Sequence, residues 1–136
     1  MSGKVEVRIV EKPWGHETIW AVTELYVGKV LHIKAGHSLS LQFHHQKDEV
    51  IHVLSGEMIY RVGDSPTRPL REVSLKAGES YRTEPGHVHQ RVAVTDCDLL
   101  DASTPHPDDV LHLTDHYGCA VTREPETCSC RWTGKG

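Results

Sequence analysis

The sequence predicts an all-β fold of one domain, an antiparallel sandwich or barrel. Short runs rich in valine, isoleucine, leucine, tyrosine and tryptophan follow one another along the chain, and Gly and Pro residues separate them about every eight to twelve positions. Helical periodicity is nearly absent. A chain of 136 residues has the size of one ordinary domain and can bury roughly two thirds of its unfolded surface. A packed core is therefore expected.

Ten strands are predicted, because each run joins residues that favour extended backbone to turn residues at its ends. In chain order they are Val5–Val10, Glu17–Val22, Tyr26–Lys34, Ser38–His44, Glu49–Leu54, Glu57–Val62, Glu72–Leu75, Ser80–Thr83, Val88–Val94 and Asp98–Ala102. In the sixth strand, Met58, Tyr60 and Val62 alternate with other residues, so these three side chains are expected to fill the interior.

Turn residues and one short helix complete the predicted architecture. Residues 54–57, Leu-Ser-Gly-Glu, form a tight hairpin whose glycine adopts a backbone conformation that a Cβ would disfavour. Residues 63–69 hold two prolines and form a loop. Pro107–Leu113 is expected to be a short C-terminal helix, because proline and acidic residues suit the first turn of a helix. The domain is expected to span residues 1–118, followed by a tail at residues 119–136.

Charge and composition indicate a small-molecule partner. The chain carries 15 Lys and Arg against 19 Asp and Glu, a formal net charge of −4, and its scattered basic residues argue against binding of nucleic acid or of an anionic membrane. No apolar stretch approaches the ~20 residues of a membrane span, and the first ten residues lack a secretory pattern, so a cytoplasmic location is expected. Cys119, Cys128 and Cys130 match no closed zinc motif, and a disulfide scaffold is not expected.

Four polar residues in two glycine-bracketed segments predict a metal site. In an extended strand Gln42 and His44 project to the same face, and Glu49 follows shortly after them. His89 comes just after a Gly-Pro turn and can close the site from a neighbouring strand. These donors suit one divalent transition metal ion (Mn, Fe, Co, Ni or Zn) better than Mg or Ca. An octahedral ion with four protein ligands keeps two positions for water or substrate, as catalytic sites do.

The spacing of these segments resembles the two motifs of the cupin superfamily. Gly36 opens the pattern G-x5-Q-x-H-x4-E-x6-G, in which Gln42 stands where many cupins carry a first histidine. Gly78 opens the pattern G-x5-E-P-G-H-V-H, which ends at His89. The resemblance implies a cupin jelly-roll β-barrel, a fold that manages its strand edges by packing two sheets together.

A narrower resemblance, from Lys12 to Gly118, is to the cupin domain of type II mannose-6-phosphate isomerases, which in bifunctional enzymes follows a mannose-1-phosphate guanylyltransferase domain. The similar pieces are K-P-W-G from Lys12, the segment Tyr26–Lys29, S-L-S-L-Q-x-H from Ser38, D-D-V-L from Asp108 and D-H-Y-G from Asp115. Glutamine as first ligand is a feature of that branch. Cys119 occupies the position of an arginine in the family pattern.

This narrower resemblance implies a metal-dependent aldose–ketose isomerisation of a small anionic sugar or hexose phosphate. The metal ion would be held by Gln42, His44, Glu49 and His89. Arg91 and Lys29 are expected to orient the anionic substrate. The sequence does not identify the base, for which His87 and a metal-bound hydroxide are the candidates. The residues alone leave ordinary alternatives open, namely a solvent-reaching strand-end Arg91, an exposed Lys29 and a solvated loop His87.

Two other functions stay open at this point. Two histidines and one carboxylate with open positions also suit an Fe(II)-dependent dioxygenase or a related oxidoreductase, and Cys119 in place of the family arginine favours that alternative. A non-catalytic cupin that binds a carbohydrate is the third, because one barrel fold hosts many functions.

An apolar stripe predicts a homodimer. Leu39, Leu41 and Phe43 lie on the strand face opposite the predicted ligands. A single barrel would leave such a stripe partly exposed, so burial against a second subunit is expected.

Overall fold

A computed structural model describes residues 2–65, 68–106 and 109–114. Eleven strands occur in these ranges. They are β1 (Arg8–Lys12), β2 (Gly15–Val22), β3 (Val27–Ile33), β4 (Leu41–Phe43), β5 (Glu49–Ser55), β6 (Glu57–Gly63), β7 (Arg71–Lys76), β8 (Ser80–Thr83), β9 (Val88–Ala93), β10 (Cys97–Ser103) and β11 (Leu111–Thr114). Each of the ten predicted strands has a counterpart among them, with ends shifted by a few residues.

The strands form two antiparallel sheets. A six-stranded sheet has the order β1-β2-β3-β10-β5-β8, and a five-stranded sheet has the order β11-β4-β9-β6-β7. The chain crosses between the sheets after β3, β4, β5, β7, β8, β9 and β10, so that the sheets pack face to face. The predicted all-β double-sheet barrel is confirmed.

The core lies between the two sheets and follows the alternation of the strands. Met58, Tyr60 and Val62 on β6 are buried, as predicted. From the opposite sheet, alternate residues of β5 and β10, such as Ile51 and Leu99, meet them. Alternate residues of a strand face the same side of the sheet. A polar residue that takes the place of a core residue in this alternation therefore also faces the interior. That geometry positions the candidate site.

The predicted hairpin at Gly56 joins β5 to β6. Its φ is 87°, in the left-handed region that glycine tolerates. A Cβ on this residue would lie 2.1 Å from the carbonyl oxygen of Asp96. The glycine is therefore required both by backbone conformation and by close packing.

Replacing Gly56 by Ala is expected to lower the free energy of unfolding by about 3 kcal/mol, from a strained φ plus a steric overlap. Gly78→Ala is the matched control, because Gly78 has a φ of 92° but no atom within 4 Å of the added Cβ, and about 1 kcal/mol is expected there. Urea unfolding of both variants measures the difference. Equal losses would show that the contact with Asp96 contributes nothing.

The predicted C-terminal helix is wrong where the structure describes it. Leu111–Thr114 forms β11, in which His112 lies opposite Gln42 on β4. Pairing with the open edge of β4 outweighs the local signals for a helix start. Pro107 and Asp108 lie outside the described residues, as do the boundary at residue 118 and the tail at 119–136. Among the described residues no helix occurs, and so none could span a membrane.

The apolar stripe predicted on the outside is wrong for Leu39. This side chain is 8% exposed and belongs to the core. Its backbone N–H donates to the carbonyl of Arg91 at 3.0 Å. Ser38 is bridged to Val92 while Gln42 lies opposite His89, so the pairing shifts by one residue before β4 and the chain there departs from the regular strand assumed for the stripe. Leu41 and Phe43 are half-buried. The homodimer stays a prediction.

Candidate metal centre

Three buried side chains from both sheets meet in the barrel interior. His44 directly follows β4, Glu49 begins β5, and His89 lies in β9. Their exposed fractions are 2%, 3% and 2%. One potential ligand atom from each lies within 4.8 Å of the others, so this cluster can hold a metal ion.

His44 is oriented by the segment that leads into β11. Its Nδ1 lies 2.5 Å from the carbonyl oxygen of Asp109, so Nδ1–H donates and Nε2 keeps its lone pair. That Nε2 is buried and has no hydrogen-bond partner. Burial, then the neighbouring His89, lowers the pKa of His44 to about 4. A neutral imidazole with a fixed tautomer is the form in which histidine binds metals.

The carboxylate of Asp109 fixes the loop that carries His44. It accepts backbone N–H groups from His45 at 2.9 Å, Gln46 at 2.5 Å and Lys47 at 2.8 Å. Partial burial works against ionisation, but these three hydrogen bonds hold the pKa of Asp109 below its ordinary value. The loop and the imidazole are thus held by one residue.

His89 and Glu49 have the separation expected of neighbouring metal ligands. His89 Nε2 lies 3.2 Å from Glu49 Oε1. Two ligands at right angles, with bonds of about 2.1 Å, are about 3 Å apart. The imidazole rings of His44 and His89 have centroids 5.0 Å apart. Two nitrogen donors and one carboxylate oxygen fit a first-row transition metal.

Cations hold Glu49 in its ionised form. Arg91 Nη2 donates to Glu49 Oε1 at 2.6 Å, and Lys47 Nζ lies 3.5 Å from Glu49 Oε2. Burial alone would raise the pKa of Glu49, but Arg91, His89 and Lys47 keep it well below the ordinary value. Arg91 Nη1 also contacts Asp101 Oδ2 at 2.9 Å. Burial, followed by the nearby Glu49, raises the pKa of Asp101.

Gln42, predicted as a ligand, faces the interior beside this cluster. It lies opposite His89 in the pairing of β4 with β9. Its Nε2 donates to Ser40 Oγ at 3.2 Å, and Ser40 also hydrogen-bonds His112 Nδ1. Because this hydrogen bond uses Nε2, the amide oxygen is the atom of Gln42 that can bind a metal ion. Its role in metal binding stays a prediction.

The three residues predicted to be catalytic lie in different surroundings. Arg91 is buried between two carboxylates. Lys29 lies opposite Asp101 in the β3–β10 pairing, and its Nζ is 3.7 Å from Glu17 Oε1. His87 lies in the turn before β9, where its contacts are with Asp64 at 3.5 Å and the carbonyl of Glu84 at 3.3 Å. None of these contacts joins His87 to the buried cluster.

Sequence reasoning missed Asp101, Lys47 and Asp109. On β10, Asp101 lies on the same face as the core residues Cys97 and Leu99. An acidic residue in that alternating pattern is a signal from which a buried carboxylate could have been predicted. Asp109 was read as part of a helix, which hid its role.

Comparison with known proteins agrees with this architecture. Residues 29–103 match the Cupin domain family. KdgF from Halomonas sp. is 19% identical over 77% of this chain and 90% of its own, with a TM-score of 0.62. An RmlC-like cupin from Shewanella frigidimarina is 20% identical over 76% and 88%, with a TM-score of 0.65. CapF from Staphylococcus aureus is 19% identical over 77% of this chain but 33% of its own, with a TM-score of 0.66.

These identities carry the fold alone, and no curated protein matches the sequence. The family match, in contrast, covers more than half of the residues and includes both segments that supply the buried histidines and the glutamate. The chain therefore belongs to the cupin family.

Proposed function

We propose that this cupin is a metal-dependent enzyme that acts on a small anionic, sugar-like substrate by aldose–ketose isomerisation. The observation that carries the proposal is the buried His44–Glu49–His89 cluster, in which His44 keeps an unpaired Nε2. A buried polar atom without a partner is costly, and a metal ligand role accounts for it. When bound, a divalent ion polarises a carbonyl oxygen as a Lewis acid.

The charge balance of the interior supports an anionic substrate. Three carboxylates face three cations there, namely Glu17, Glu49 and Asp101 against Lys29, Lys47 and Arg91. These formal charges cancel. A divalent ion adds two positive charges in a poorly solvated site, so an anion is the favoured occupant.

The cations differ in what they can reach. The Arg91 side chain is buried and contacts two carboxylates. We therefore propose that Arg91 positions Glu49 and does not bind substrate. Lys29 and Lys47 are partly exposed and make longer contacts of 3.7 and 3.5 Å. Lys29 and Lys47 are therefore the two cations to which we assign the binding of the anionic substrate.

A pair of adjacent histidines provides the test of the metal site. His44→Asn is expected to lose bound Mn, Fe, Co, Ni or Zn, because the lone pair of Nε2 is removed. His45→Asn is the matched control, since His45 packs edge-on against Phe43 at 4.8 Å, outside the cluster. Elemental analysis after dialysis against each metal measures the effect. Equal metal content in both variants would refute the site.

The reaction itself is tested with the metal-loaded wild-type protein and a panel of hexose and pentose phosphates. Isomerisation would appear as interconversion of aldose and ketose signals by NMR, with exchange of the C2 proton for deuterium in D₂O. A sugar phosphate that raises the melting temperature without any turnover would instead support a carbohydrate-binding cupin.

A second candidate, an Fe(II)-dependent dioxygenase, is favoured by the donor set. His44, Glu49 and His89 form a two-histidine, one-carboxylate group. Non-haem Fe(II) oxygenases use such a group. Oxygen consumption that depends on Fe(II) and on a substrate, with no turnover under anaerobic conditions, would support this alternative over isomerisation.

A further inference from the structure

The segment before β1, residues 2–7, is exposed and forms no regular secondary structure. Residues 2–7 make no hydrogen bond with any other described residue. β1 itself is an edge strand, because only β2 pairs with it in the six-stranded sheet. The other edge of β1 therefore presents free backbone donors and acceptors, a condition that proteins usually protect.

The side chains along this edge alternate strictly. Val5, Val7 and Ile9 are apolar and are 69%, 51% and 67% exposed. Ile9 lies opposite Thr18, on the outer face of the six-stranded sheet. In an extended chain all three share that face. In the same extended conformation Lys4, Glu6 and Arg8 share the other face, and none of the three forms an ion pair with another described residue.

This segment is complementary to itself in one antiparallel register. When Val7 lies opposite Val7 of a second copy, Glu6 lies opposite Arg8, and Val5 lies opposite Ile9. The one mismatch in this register is Lys4 opposite Val10. Opposite charges and paired apolar side chains on neighbouring strands both stabilise a ladder.

Neighbouring registers bring like charges together. With Glu6 at the centre, Glu6 meets itself and Lys4 meets Arg8; with Arg8 at the centre, Arg8 meets itself and Lys4 meets Lys12. Registers displaced by a single residue place at least two of Val5, Val7 and Ile9 opposite charged side chains, whereas the register centred on Val7 places none of them there. Charge complementarity thus selects the register centred on Val7.

We propose that two copies of this chain associate through the open edges of β1 in that register. Residues 2–6 of each copy pair with residues 8–12 of the other, so the exposed segment of one protomer covers the free edge of its partner. The interface has two-fold symmetry and uses the same surface on both copies. It joins the two six-stranded sheets into one continuous sheet, and it does not depend on the function proposed above.

Charge reversal tests this interface by sedimentation velocity over a range of protein concentrations. The wild-type chain is expected to sediment as a dimer. Glu6→Arg or Arg8→Glu alone replaces two symmetric attractions with two repulsions, and each should weaken the dimer about tenfold or more. The double variant E6R/R8E restores opposite charges and should return to within about threefold of wild type.

Mixing the two single variants gives a second readout. A Glu6→Arg chain and an Arg8→Glu chain are complementary to each other, so a heterodimer should form from two weakened proteins. Glu24→Arg, an equal charge change on the exposed turn after β2, is the control and should leave the dimer intact. Melting temperatures confirm that every variant is folded.

Three results would overturn the proposal. If the wild-type chain stays monomeric at about 100 µM, its dissociation constant is too high for a specific dimer, and the proposal is excluded. A dimer that neither single variant weakens uses another surface, such as Leu41 and Phe43. A double variant weaker than both single variants excludes the register centred on Val7.

Discussion

Replacing Arg91 by Met is expected to lower the free energy of unfolding by about 3–5 kcal/mol, the usual loss when one partner of a buried ion pair is removed. Arg91 donates to Glu49 at 2.6 Å and contacts Asp101 at 2.9 Å. Without the guanidinium, two buried carboxylates lose their main counter-charge. Urea unfolding in the presence of a chelator measures the loss without a contribution from bound metal.

Two further variants separate this effect from a general loss of packing. In the double variant Arg91→Met/Asp101→Asn, a neutral amide replaces one of the two carboxylates that lost their counter-charge. Part of the lost stability should therefore return. Arg82→Met removes a fork of two hydrogen bonds to Asp48, at 3.1 and 2.7 Å, on the exposed surface, and only a small change is expected. An Arg91 variant as stable as the Arg82 variant would contradict the argument.

The stability of the protein is expected to depend on pH through His44. Burial lowers its folded pKa to about 4, while the unfolded chain has an ordinary value of about 6.5. Between these values the unfolded state binds a proton that the folded state does not, so stability rises with pH. In the presence of a chelator, lowering the pH from about 7 to about 5 should cost about 2 kcal/mol from this residue.

His44→Asn should remove this contribution and flatten the dependence over the same range, whereas His45→Asn should keep it. The free energy of unfolding, measured by urea titration at each pH, gives the two slopes. Working above about pH 5 keeps most carboxylates ionised, including Glu49 and Asp109 with their lowered pKa values. A variant at His44 with an unchanged slope would show that the imidazole is not held neutral by burial.

The strands were predictable because their signals are local. On β6, the alternation of Met58, Tyr60 and Val62 with Ile59 and Arg61 was enough to place three core side chains. The hairpin at Gly56 was predictable because its backbone conformation is a property of a few consecutive residues. The segments around His44 and His89 were found through their spacing and their glycines.

The partners of the site residues could not be predicted, because they depend on which strands meet across the barrel. Arg91 was expected to face the interior, but its two carboxylate neighbours belong to the opposite sheet. β11 was missed since proline and acidic residues favoured a helix start, while its pairing with β4 joins segments nearly seventy residues apart. Such long-range pairing leaves no trace in local periodicity.

Asp109 gives the order of events during synthesis a direct chemical meaning. Its carbonyl fixes the imidazole of His44, and its carboxylate gathers the loop that follows, yet it comes after ten of the eleven described strands in chain order. A nascent chain that ends before this residue lacks the carbonyl group that fixes the tautomer of His44. We therefore expect the proposed metal ion to bind at full strength only to polypeptides whose translation has passed this aspartate.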